Sequence, residues 1–318
     1  MSLPQAFEGR LSLPLISAPM FLVSGPQLVI EACKAGVVGT FPALNQRSSE
    51  GFEQWLQEIA AALATGERVS GVPAAPFGVN LIVHKSNPRL HADLALCVKH
   101  RVPLVITSLG AVKEVVDAVH DYGGLVFHDV TNVRHAKKAV EAGVDGLIAV
   151  CAGAGGHAGT LSPFALVNEI RRFFNGTLIL SGCLSSGRDL AAARMMGADL
   201  GYMGTRFINT RESLAVDGYK DMILSSSAAD IVYTPKVSGI PASFMRQSLE
   251  AAGLDDRHGE GGLNLNDEAR AWKTVWSAGQ GVGSISDVPA VAELVSRLKA
   301  EFHQAAEQFA ASAVRYQD

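Results

Sequence analysis

One histidine stands inside a glycine-dense run, Cys151-Ala152-Gly153-Ala154-Gly155-Gly156-His157-Ala158-Gly159-Thr160, directly after the apolar segment Gly146–Val150. The unperturbed pKa of imidazole lies nearest physiological pH, so this side chain can take up or hold a proton there. Glycine lets a backbone approach a ligand closely and enter positive φ. Together they suit a loop that presents an acid–base group to a small molecule, although a mobile surface turn would look the same taken alone. Two other runs, Ser181-Gly182-Cys183-Leu184-Ser185-Ser186-Gly187 and Met203-Gly204-Thr205-Arg206, combine small residues with hydroxyls. Bare main-chain N–H groups near a helix start bind an anion without a cation, so the pair suits a phosphate; tight turns would also be glycine-rich. Asn80 offers an amide donor and acceptor side by side, which matches the pyrimidine edge of a flavin, or else bonds its own backbone at a strand end. Met20 more often fills core space than touches a ligand.

These residues share a face only if the chain between them repeats one strand–helix unit. Short apolar segments at Leu13–Ala18, Val37–Phe41, Phe77–Ile82, Pro103–Thr107, Leu125–His128, Gly146–Val150, Thr177–Ser181 and Leu200–Met203 read as eight strands. Between them, Pro26–Lys34, Gly51–Ala64, Arg89–His100, Ala111–Tyr122, Val133–Glu141, Pro163–Phe174 and Gly187–Met196 read as helices. Lys34-Ala35-Gly36-Val37, Glu141-Ala142-Gly143-Val144 and Met196-Gly197-Ala198-Asp199 each put a glycine where a helix should stop and a strand begin. Eight such steps predict an α/β fold, a (β/α)8 TIM barrel, over residues 1–209. The first strand ends Ala18-Pro19-Met20 without the G-x-G-x-x-G of a dinucleotide fold. From 210 to 266 the alternation fails, which predicts an inserted helical and loop cap near the C-terminus. Residues 267–318 then complete the barrel with the loop Trp276-Ser277-Ala278-Gly279-Gln280-Gly281-Val282-Gly283 and a helix, Val288–Ala310, striped by Val291, Leu294, Val295 and Leu298.

With 48% hydrophobic and 18% charged residues in 318, the chain can bury a large core, and disorder is excluded. Its 27 basic and 31 acidic residues are interspersed, so no nucleic-acid surface is expected, and Arg171-Arg172 reads as a solvated helix edge. Cys33, Cys97, Cys151 and Cys183 are widely spaced without a C-x-x-C pair; they predict reduced, packed thiols in a cytoplasmic protein, with no zinc site or disulfide. The run Leu11–Val23 holds Pro14 and Pro19 and is too short to cross a bilayer, so it reads as the buried first strand. Repeats and charged tails are absent, which argues against an interaction module and leaves homo-oligomer formation through the outer helices open.

At these positions the chain resembles the FMN-dependent nitronate monooxygenases, formerly 2-nitropropane dioxygenases, along nearly its whole length. The resemblance rests on Ala18-Pro19-Met20, Phe77-Gly78-Val79-Asn80, Ala154-Gly155-Gly156-His157-Ala158-Gly159, Ser181-Gly182, Met203-Gly204-Thr205-Arg206-Phe207 and Trp276-Ser277-Ala278-Gly279-Gln280-Gly281. It implies FMN, with Asn80 on the ring, Gly155 against the cofactor, Met20 and Gln280 flanking the ring, and Ser181, Gly182, Met203, Gly204 and Thr205 around the phosphate. His157 would be the active-site base or polariser. The implied reaction oxidises an alkyl nitronate such as propionate 3-nitronate with O2 to a carbonyl compound and nitrite. Two departures bear on the flavin's electronics: Val150 stands where many members carry Gln, and His128-Asp129 where some related flavoproteins carry Lys. His128 itself reads more readily as a hydrogen-bonded strand-end histidine than as a second catalytic group. The same barrel and Gly-Gly-His loop also resemble NAD(P)H:quinone reductases and FMN-dependent enoyl-acyl-carrier-protein reductases, so reduction by NAD(P)H is the alternative. A non-catalytic flavin binder is the third.

Overall fold

The computed structural model describes residues 3–64, 73–110, 113–237, 239–254 and 274–316. Eight parallel strands close into a barrel in chain order: β1 (Leu15–Ser17), β2 (Val38–Pro42), β3 (Phe77–Ile82), β4 (Leu104–Ser108), β5 (Leu125–Val130), β6 (Gly146–Val150), β7 (Thr177–Ser181) and β8 (Leu200–Met203). Closure comes from β8 pairing back onto β1, Leu15 with Gly201 and Ser17 with Met203. Helices α1 (Pro26–Ala35), α2 (Ser49–Ala64), α3 (Leu90–Lys99), α4 (Lys113–His120), α5 (Val133–Glu141), α6 (Pro163–Arg171) and α7 (Gly187–Met195) each follow the strand of the same number. The C-terminal helix Val291–Ala313 packs against α7 and α1, burying Val291, Leu294, Val295 and Leu298, and so takes the eighth place in the ring.

Successive strand side chains point to opposite faces. Ile16, Val38, Ile106, Phe127, Ile148 and Ile179 meet inside the barrel, while Leu15, Val105, Val126, Leu147, Leu178 and Leu180 pack outward against the helices. Both faces are buried, which is why the strands read as continuous apolar runs rather than alternating ones. The three joint glycines end their helices with left-handed φ: Gly36 at 89°, Gly143 at 89° and Gly197 at 105°.

Four features differ from the expectations above. β5 does not stop at His128 but continues through Asp129 and Val130, paired with Ile148 and Ala149 of β6; a half-buried carboxyl one residue before the end of a strand looks like a loop residue in sequence. The stretch after β8 is not only helical and looped: Ile231–Thr234 and Ala242–Met245 form an antiparallel hairpin after the helix Asp217–Ser225. The part of that insert from 255 to 266 lies outside the described residues. Cys33, Cys97 and Cys151 are buried, but Cys183 is exposed in the turn after β7, at φ 58°.

Arg171 is not a solvated edge either. Its guanidinium donates to Gly197 O and Gly176 O, both at 2.8 Å, and pairs with Asp199, whose side chain is fully buried. That clamp ties α6 to the start of β8. Asp199 also keeps Arg194 at 3.9 Å and the Leu178 N–H at 2.9 Å, so losing the closer guanidinium weakens rather than abolishes its compensation, and Arg171→Met should lower stability by about 1–3 kcal/mol in urea denaturation while leaving the strand end chemistry unchanged. No change in midpoint would show the clamp to be idle.

Candidate active site

Because the barrel closes, inward positions near the C-terminal ends of the strands open onto one cavity of about 1350 Å3. Asn80 of β3, Ser108 of β4, Asp129 of β5, Val150 of β6, Ser181 of β7 and Tyr202 of β8 form this inner row. One layer deeper the same faces are apolar. Ligand cavities commonly measure roughly 300–1000 Å3, so this space exceeds what one small substrate needs.

The polar members of the row are connected. The Asn80 amide donates to Ser108 Oγ at 2.7 Å and to Ile106 O at 3.2 Å, and Ser108 Oγ donates to Asp129 Oδ2 at 2.5 Å. Burial pushes the Asp129 carboxyl up to about 6, against the lowering effects of the Ser108 hydrogen bond and the His157 imidazole. His128, the next residue back, also borders the cavity, but its ring is tied to the neighbouring strand. Its Nδ1 lies 2.8 Å from Thr107 Oγ1, and burial holds the ring down to about 4, so it is neutral near pH 7.

His157 is carried by a short strand, Gly156–His157, not by a free loop. It pairs with the insert hairpin, His157 opposite Ala242 and Gly156 opposite Ser243. Ser277 Oγ accepts from Gly156 N at 2.6 Å and donates to Ser243 O at 2.6 Å, joining three distant segments at one hydroxyl. Gln280 N donates to Gly153 O at 2.8 Å, Gly279 N to Thr205 Oγ1 at 2.9 Å, and Tyr233 OH to Ala158 O at 2.9 Å. Part of the glycine density serves this contact: a Cβ on Gly155 would stand 2.9 Å from Gly279 N. Tyr219 donates its hydroxyl to Ser277 O and stacks on Trp276 at 5.2 Å between ring centroids.

A family model described as nitronate monooxygenase matches residues 89–301. The chain belongs to the nitronate monooxygenase family. It is 27% identical to the nitronate monooxygenase of Paraburkholderia phytofirmans over 93% of each chain. It is also 28% identical to the (3aS,4S,5R,7aS)-5-hydroxy-7a-methyl-1-oxo-octahydro-1H-indene-4-carboxyl-CoA dehydrogenase of Mycobacterium tuberculosis, over 74% of this chain and 64% of that one. Among solved structures, nitroalkane oxidase from Streptomyces ansochromogenes superposes with a TM-score of 0.82 at 22% identity, covering 96% of this chain and all of that one. FabK from Thermotoga maritima gives 0.81 at 24% identity, covering 95% and 96%. At those identities the two structures share the fold. As a family member the protein is an oxidoreductase.

In this oxidoreductase Met20, Asn80, Gly155, His157, Ser181 and Gly182 line the cavity, as do Gly204 and Thr205. Met203 and Gln280 are not part of its wall. Tyr202 points inward, so alternation turns Met203 out into the helix layer, fully buried. Gln280 is exposed, with its main chain committed to Gly153. The N-terminus of α7 is not a bare anion site: Asp189 accepts from Ser185 N and Ser186 N, and Glu301 from Gly187 N. Ser277, Tyr202 and Tyr219 were not read from sequence as site residues; only Tyr202 carried a signal, the two-residue spacing from apolar Leu200. Among the described residues no cluster of His, Cys, Asp or Glu could hold a metal ion, and no helix is long and apolar enough to cross a membrane.

Two outcomes follow from this geometry. Ser277→Ala leaves Gly156 N–H and Ser243 O without their partner, so amide exchange at Gly156 should speed by the equivalent of about 1–3 kcal/mol, and unchanged protection would mean the hydroxyl is no latch. His128 is depressed in the fold, so the unfolded chain takes up a proton first as pH falls. Stability should drop between pH 6.5 and 4 by up to about 3 kcal/mol, and His128→Gln should remove that part of the drop in urea titrations.

Proposed function

We propose that the protein oxidises alkyl nitronates of the propionate 3-nitronate type with O2, giving a carbonyl compound and nitrite, with FMN held across the mouth of the barrel. The observation that carries the proposal is His157, braced by the small sheet and opening onto the same cavity as Asn80, Ser108 and the loops after β7 and β8.

The residues present fit a mononucleotide. The cavity has room for a cofactor and a substrate together. Ser181 and Gly182 after β7, and Gly204 and Thr205 after β8, put small side chains at its wall, where main-chain N–H groups can receive a phosphate. Asp189 and Glu301 already fill the start of α7, so the phosphate would lie on the Gly182–Leu184 and Gly204–Thr205 turns instead. Met20, Asn80 and Gly155 would meet the ring. FMN would supply the acceptor for the nitronate's electrons and pass them to O2. His157 would do the work of the chain: its protonated form stabilises an anionic nitro group, and its neutral form accepts the proton of a nitroalkane. The neutral His128 ring is committed to Thr107 at the edge of the same cavity.

One observation favours a second reading. Arg47, Lys85 and Lys138 stand at the cavity with no carboxylate partner among the described residues. Three such cations suit a phosphate-bearing donor, so reduction by NAD(P)H is the rival.

A single experiment separates the two. Anaerobic mixing with propionate 3-nitronate should bleach the bound flavin, and NADH or NADPH should not; the reverse pattern overturns the proposal. His157→Asn should keep the yellow cofactor and lose turnover about 10²–10⁴-fold.

A further inference from the structure

The nitronate reaction as drawn above has no use for Asp129, yet this carboxyl sits in the middle of the inner row. Oδ2 accepts from Ser108 Oγ, while Oδ1 is buried without a hydrogen-bond partner. An ionised carboxylate with a buried, unpaired oxygen is costly, and the acid form removes most of that cost. The groups around it do little to hold a charge. Val150 of β6 is apolar, and Tyr202 of β8 is held far above its ordinary range by burial and keeps its proton. His157 from the small sheet is the one basic group whose charge is felt at the carboxyl, and no Lys or Arg pairs with it among the described residues. The His128 ring is bonded to Thr107 Oγ1 at the cavity wall, and His135 and Lys138 of α5 line the same cavity.

A serine hydroxyl has one proton and two lone pairs. Ser108 spends one lone pair on the Asn80 amide. While Asp129 is ionised, the Ser108 proton must point at it, and Ser108 offers the cavity only a lone pair. Once Asp129 is protonated, the acid can donate to Ser108 instead, and the Ser108 proton is released toward the cavity. We propose that Asp129 is a positioning residue which, when it carries a proton, turns the Ser108 hydroxyl into a donor for an anionic ligand beside His157. The Asn80–Ser108–Asp129 chain is then the device by which this site accepts nitronate-like oxyanions. The ascent of the carboxyl to about 6 puts the change within reach of ordinary solution conditions. The relay rests on the nitronate reading for the identity of the anion, but its hydrogen bonds do not depend on which substrate is oxidised.

The test uses nitrite, an oxyanion that stays ionised over the range, titrated calorimetrically into the purified holoenzyme from pH 5 to 8. Because a protonated His157 would itself attract anions, the titrations are run in a His157→Asn background. The imidazole lowers the Asp129 carboxyl, so in that background the carboxyl titrates higher than in the parent protein; nitrite affinity should weaken as pH rises through that higher range, by tenfold or more overall, which is the loss of one charge-assisted hydrogen bond. Adding Asp129→Asn, whose amide donates to Ser108 at every pH, should hold the tight state at pH 8 and abolish the dependence. Adding Ser108→Ala should give the weak state at every pH. Infrared difference spectra between the parent and Asp129→Asn should contain a protonated-carboxyl band at pH 5 that disappears by pH 8, a readout that needs no turnover. An unaltered pH dependence in Asp129→Asn, or no such band, overturns the relay; should Asp129→Asn not fold, Ser108→Ala and the band in the parent protein decide it. Failure of any nitronate to bleach the flavin, with nitrite binding still following Asp129, would sink the function and leave the relay standing.

Discussion

Closing eight strands into a barrel leaves each strand one inward position at its C-terminal end, and everything chemical in this protein depends on what fills it. Below that row the barrel is packed with Ile16, Ile106, Phe127, Ile148 and Ile179. At the row itself Asn80, Ser181 and Tyr202, which are buried, and Ser108 and Asp129, which are half-buried, bring polar atoms together at the wall of the cavity. Low dielectric strengthens each hydrogen bond there and makes every unpaired polar atom expensive. The carboxyl of Asp129 feels that pressure most, and its chain to Ser108 and Asn80 is the response.

The barrel alone does not place His157. The loop after β6 would be free without the insert hairpin, which pairs with Gly156–His157, and the C-terminal segment, which reaches it through Ser277 and Gln280. The excursion between β8 and the last helix therefore builds the site rather than simply covering it. Tyr219, Tyr233 and Pro241 add walls to the same cavity. Glycines at 155 and 279 let two backbones pass at a distance no side chain would allow. A histidine held this way keeps a fixed aim without losing access to the cavity.

Much of this was legible in the chain. Apolar runs buried on both faces, and glycines at 36, 143 and 197 that end helices in left-handed φ, are local signals, and they mark the barrel. Asn80, His157, Gly182, Gly204 and Thr205 were legible because each falls at a strand end, where this fold gathers its chemistry. The Met203 side chain is turned away from the cavity because Tyr202 takes the inward face. The remaining residues are written in contacts across long sequence distances. Ser277 matters only because Gly156 and Ser243 arrive beside it, and Arg171 only because Asp199 is buried beneath it. Nothing near Asp129 in sequence says that the strand runs on through it.

The measurement that bears most directly on the account is a crystal structure of the holoenzyme with nitrite bound. It should place the cofactor phosphate on the Gly182–Leu184 and Gly204–Thr205 turns and the anion between His157 and Ser108. A phosphate at the start of α7, or an anion outside the inner row, would contradict it.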